Sequence, residues 1–65
     1  MESFTKPANL DGVVLIAELE AAGVTVIPNE IGIKCPIIDG NGDLWLEIIK
    51  ADKAKATAVV ANHQG

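Results

Sequence analysis

A single cysteine, Cys35, and a single histidine, His63, leave this 65-residue chain without an internal disulfide and without the Cys and His spacing of a structural zinc site. Positive charge is scarce. Nine acidic against five basic residues give a net charge of −4, which argues against nucleic acid as a direct ligand, because binding there depends on neutralising phosphates. Long apolar runs are missing as well: none approaches the roughly 20 residues needed to span a bilayer. The opening "MESFTKPANLDG" lacks the basic start and apolar core of a secretory signal. These absences predict a soluble cytoplasmic protein with no membrane partner. No catalytic signature is visible, so the expectation is a non-enzymatic protein with no cofactor and no metal.

What remains is a short, apolar, acidic chain. A domain of this size buries only about 60% of the surface of its unfolded chain, and small domains without a covalent or metal staple lean on partners or on self-association. One small domain spanning 1–65 is therefore expected, supported by a protein partner or as a homodimer. Charge is uneven along it: residues 1–47 hold eight acids and two lysines, whereas 48–65 hold Lys50, Lys53 and Lys55 against Asp52.

Periodicity divides the chain into segments. "ANLDGVVLIAELEAAG" predicts a helix over about 9–22, with Asn9 as a candidate N-cap, Asp11 favourable at the positive end of the helix dipole and Gly23 placed to end it. Its apolar surface exceeds one core-facing stripe, and Leu15 and Ile16 cannot both face the centre of a thin core, which hints at an interface. "VTVIPNEIGIKCP" predicts a β-hairpin with strands over about 24–28 and 31–36, turning at Pro28, Asn29 and Glu30. Val24, Val26, Ile31 and Ile33 are then expected to meet Val14, Leu15 and Leu19.

From Asn41 or Asp43 onward two readings are open. Leu44, Trp45, Ile48 and Ile49 fall at i, i+1, i+4 and i+5 and lead into an alanine-rich run, which predicts one helix over about 43–61 capped by Asn41 or Asp43. Alternatively, Leu44, Leu46 and Ile48 alternate, "PIIDGNGDLWLEI" is a second hairpin, and only the part from about Lys50 is helical. Residues 1–8 and 62–65 are expected to be flexible ends. The preferred layout is α+β: a small αββα unit in which both helices pack on a two-stranded sheet.

Candidate chemistry is thin. "DGNGD" resembles the start of a calcium loop, but the sixth and twelfth positions counted from Asp39 are Leu44 and Lys50, where an EF-hand needs Gly and Glu. A turn is the better reading, with Gly40 and Gly42 at positive φ. Cys35 and His63 are the only conventional nucleophile and base, and nothing orients them. Glu18 and Glu20, two apart on a helix, project in different directions. Trp45 is either a cap on the core beside Phe4 or the hairpin, or an interface anchor.

"LIAELEAAGVTV", "EIGIKCP" and "KADKAKATAVV", in that order, resemble the N-terminal docking domain of the TubC type found in peptide-synthetase assembly lines and in small bacterial and phage relatives. The resemblance covers about residues 13–60. It implies an αββα homodimer that receives a partner segment on the strand Ile31 to Cys35. The leading expectation is thus a docking module whose partner-binding residues are Val13, Ile16, Glu20, Ile31, Gly32, Ile33, Lys34 and Trp45. The alternative is a small acidic phage-type inhibitor, such as an anti-CRISPR, that blocks a nucleic-acid-binding effector through Asp11, Glu18, Glu20, Glu30, Asp39, Asp43 and Glu47.

Overall fold

The computed structural model describes residues 1–64. The chain runs β1 (Glu2–Thr5), α1 (Gly12–Ala21), β2 (Ile37–Ile38), β3 (Asp43–Leu46), a single 3-10 turn (Lys50–Asp52) and α2 (Lys53–Asn62). The fold is mixed α+β, as expected, but its sheet is antiparallel with three strands in the order β1-β3-β2. No helix among the described residues is long and apolar enough to cross a membrane.

Helix α1 begins two residues later than Asn9 would place it. Asp11 is the N-cap, its Oδ1 accepting the N–H groups of Val13 (3.1 Å) and Val14 (3.2 Å). A Cβ on Gly12 would meet Pro36 Cγ at 3.3 Å, so Pro36 lies against the first turn and glycine keeps the space open. The helix ends where Gly23 predicts. With φ at 87°, Gly23 lets its own N–H reach Glu20 O (3.1 Å) and the Val24 N–H reach Leu19 O (3.0 Å), the paired bonds of a Schellman motif. Leu19 and Val24, which that motif brings together, are both buried.

The central strand is β3. Leu44 and Leu46 are fully buried while Trp45 between them is half-buried on the other face. The single helix over 43–61 is therefore incorrect, and the second hairpin is what forms: Ile37 and Ile38 pair with Trp45 and Leu44. Apolar residues at i, i+1, i+4 and i+5 suit a helix, but Leu44, Leu46 and Ile48 also keep strict alternation, and burial of all three decides in its favour. Residues 2–5 are not a loose end. They form β1, with Phe4 opposite Leu44, because that pairing closes the core over an otherwise open strand edge.

The first hairpin does not form as expected. Val26 makes one bridge to Ile48, the Ile27 N–H donates to Glu47 O (2.8 Å), and residues 31–36 belong to no strand. Pro28 and Pro36 lack the N–H groups a ladder needs, and the chain just beyond β3, at Glu47 and Ile48, takes Val26 and Ile27 in place of a return strand. Val24 and Val26 do join Leu15 and Leu19 in the core; Ile31 and Ile33 stay outside it.

One core forms, from Leu15, Ile16 and Leu19 of α1, Ala56 and Val60 of α2, Phe4, Leu44 and Leu46 of the sheet, and Val24, Val26 and Ile48 beside it. His63, expected in a fraying tail, is buried. Its Nε2 accepts the Asp11 N–H (3.0 Å) and its Nδ1 lies 2.6 Å from Glu18 Oε1, so the ring carries its proton on Nδ1 and donates to the carboxylate. Those partners are 52 and 45 residues away in sequence, beyond the reach of any local pattern. Of the end expected to be flexible at 62–65, Asn62 closes α2, and Gly65 lies outside the described residues.

His63→Ala should lower the unfolding free energy by about 1–3 kcal/mol, since it strands the Asp11 N–H as well as removing the ring. Urea denaturation checks this, and an unchanged midpoint would mean that the ring does not tie the two helices together.

Candidate functional site

Two loops of the molecule share one hydrogen-bond pattern. In the first, Asn29 Oδ1 accepts the N–H groups of Ile31 and Ile33 (both 3.0 Å), the Gly32 N–H donates to Asn29 O (2.9 Å), and the Asn29 N–H donates to Ile33 O (2.9 Å). In the second, ten residues on, Asp39 Oδ1 accepts from Asn41 (2.8 Å) and Asp43 (3.0 Å), Gly42 donates to Asp39 O (3.1 Å), and Asp39 donates to Asp43 O (3.1 Å). Gly32 and Gly42 sit at φ 83° and 80°, the left-handed corner each loop requires, whereas Gly40 does not adopt positive φ. The "DGNGD" stretch is thus a hairpin turn organised around Asp39, and neither Asn41 nor Asp43 caps a helix.

The twin loops differ in one way that matters. A side-chain amide offers one oxygen, and Asn29 spends it on both N–H groups; a carboxylate offers two. Asp39 uses the second, Oδ2, to accept the indole N–H of Trp45 at 2.8 Å. The indole N–H, followed by the backbone N–H groups, holds the Asp39 carboxyl below its ordinary value of 3.8. Trp45 is fixed in this way on the face of the sheet away from the helices, where its cross-strand neighbours are Ser3 and Ile37.

That face runs into a groove of about 420 Å³ lined by Ile27, Ile33, Cys35 and Ile37, with Glu30 and Glu47 among its other walls. Ile27, Ile33 and Ile37 are between 40% and 52% exposed. A second hollow, of about 390 Å³, lies between β1 and α2. There Lys53 pairs with Glu2 at 3.4 Å and stands 5.6 Å over the Phe4 ring, tying the helix to the strand.

The expected partner-binding residues are only partly gathered here. Ile33 lines the groove, Ile31 (77% exposed) and Gly32 belong to the turn beside it, and Trp45 stands on the adjoining sheet face. Lys34 and Glu20 form an ion pair at 2.8 Å that ties this loop to α1. Val13 is exposed on the first turn of α1 and is not part of the groove wall. Ile16 is corrected: at 8% exposure it belongs to the core beside Leu15, because α1 packs against the sheet on one side and α2 on another. The strand expected at Ile31 to Cys35 is likewise replaced by turn and irregular chain.

The acidic set is spread over the surface and largely engaged. Asp11 caps α1, Glu18 holds His63, Glu20 holds Lys34, Asp39 organises its turn and Glu47 lies 3.1 Å from the amine of Met1. Glu30 and Asp43 make no ion pair among the described residues. Cys35 and His63 are placed apart, one in the groove wall and the other committed to α1.

Sequence reading missed Ile27 and Ile37 as wall residues. The adjacent pair Ile37 and Ile38 carried a signal, because consecutive residues of a strand face opposite ways and one of them had to point away from the core.

A carboxyl whose folded value is depressed stabilises the fold fully above its unfolded value, and that contribution disappears as pH falls through the lower folded one. Acid unfolding below pH 3.8 should therefore include a step from Asp39. Asp39→Asn should keep the turn, as Asn29 does, yet lose the indole bond and this acid dependence. Following Trp45 fluorescence against pH tests it, with identical acid profiles for variant and parent as the contrary result. Compared with protein-family models, with curated proteins and with solved structures, the chain matches none.

Proposed function

We propose that this chain is a protein-interaction module that docks a partner on the open face of its sheet and in the adjoining groove. One observation carries the reading: Ile27, Ile33, Ile37 and the half-buried Trp45 are large apolar side chains gathered on one surface, while the helices pack on the other side of the sheet. Aromatic and aliphatic anchors of this kind dominate binding energy when a partner excludes water from them. The docking role implied by the sequence resemblance is kept, and its binding element moves from an edge strand and α1 to this groove.

The rival reading, an acidic inhibitor, draws less support. Five of its seven acids, Asp11, Glu18, Glu20, Asp39 and Glu47, already serve contacts within the chain. A homodimer through the groove would bring like charges together, since Glu30 and Glu47 line both copies. A different protein is the better occupant.

A photoreactive side chain placed at position 33 in the native host should give a discrete cross-linked partner, and the same group at exposed Ala58 on α2 should give none. Cross-linking that is absent at 33, or identical at both positions, would remove the docking reading.

A further inference from the structure

We infer that the segment taken up by the groove is basic: a short stretch of a partner protein whose aliphatic side chains enter between Ile27, Ile33 and Ile37 and are flanked by lysine or arginine. This rests on the docking reading above and adds the chemistry of the occupant.

Charge on this side of the molecule is mainly negative, and the cation that lines the groove, the amine of Met1, is paired with Glu47 at 3.1 Å. Glu30 and Glu47 line the groove and no lysine does. Asp43, two residues from Trp45 on β3, projects from the same open face. Lys34 is the cation closest in sequence to the wall, and it is held away by Glu20 at 2.8 Å. Lys53 and Lys55 sit on α2, engaged with Glu2 at 3.4 Å and Asp52 at 3.9 Å. Glu47 has the Met1 amine at 3.1 Å, whereas Glu30 and Asp43 have no ion-pair partner among the described residues. Both are exposed. Fields of exposed charges are local, fading over about 8 Å at physiological salt, so an occupant meets the acids of this face and is little affected by the lysines of α2.

An apolar cleft with an acidic rim selects against most alternatives. An acidic segment would be repelled at Glu30 in the groove wall and, where it extends over the adjoining sheet face, at Asp43. A second copy docked groove to groove would present the same acids. A basic segment gains at the rim without losing the aliphatic contacts, and the rim contributes orientation and association rate more than raw affinity.

The full chain is titrated with two short capped peptides that alternate leucine with either lysine or glutamate. Trp45 fluorescence and the methyl resonances of Ile27, Ile33 and Ile37 are followed. The lysine peptide should shift those three methyls and bind at least tenfold more tightly than the glutamate peptide at low salt. The preference should shrink severalfold at roughly 0.5 M salt, where screening shortens to a few ångströms. The double variant Glu30→Lys, Asp43→Lys, altering two exposed side chains that make no ion pair, should reverse the preference. Equal binding of the two peptides, or an unchanged preference in the double variant, overturns the basic occupant and leaves the docking reading standing. Shifts spread over the whole surface, or concentration-dependent shifts of the same methyls without peptide, overturn it also, the latter in favour of a second copy.

Discussion

In a chain of this length the sheet can be covered on one side only, and most of the molecule follows from which side that is. Each helix has ten residues, and both lie over the face that carries Phe4, Leu44 and Leu46. Burying those side chains, together with Leu15 and Leu19, supplies the main driving force, at about 25 cal/mol for each Å² of apolar surface removed from water. Alternation along β3 then sends Trp45 the other way, with Ile37 beside it. Among the described residues no third layer covers them. The apolar residues of the open face are thus a direct consequence of the strand period, and they are the surface that the docking proposal assigns to a partner.

Local polar bonds fix the shape of that open side. The Asn29 loop holds Ile31 and Ile33 through three N–H donors, the Lys34 and Glu20 pair anchors the loop to α1, and Pro36 rests against Gly12. Asp39 locks the neighbouring turn and the indole of Trp45 with one carboxylate. A wall held in this way loses little conformational freedom when a partner arrives, which favours affinity. On the covered side His63 plays the corresponding part, joining the end of α2 to the start and middle of α1.

Local chemistry was the legible part of the sequence. Gly23 as the end of α1, the helical run after Lys50, and the turn character of "DGNGD" all rest on residues a few positions apart. Long-range pairing was not legible. Phe4 opposite Leu44, Val26 opposite Ile48 and His63 against Asp11 each join segments more than 20 residues apart, and no local pattern names the distant partner. The same limit shifted the candidate site. Ile16 looked surplus on an amphipathic helix, yet two packing neighbours absorb it into the core, while Ile37, which drew no assignment, faces outward. Trp45 was identified because a lone tryptophan stands out without any knowledge of topology, and Ile33 because the resemblance placed it on a receiving strand that does not form.

The division into a covered and an open face is tested most directly by the solvent accessibility of isoleucine methyls, measured as the relaxation caused by a soluble nitroxide in the NMR spectrum of the free protein. Ile27, Ile33 and Ile37 should broaden strongly, and Ile16 and Ile48 should be protected. Protection of Ile33 and Ile37 equal to that of Ile16 would contradict the account, because the face assigned to a partner would then already be buried.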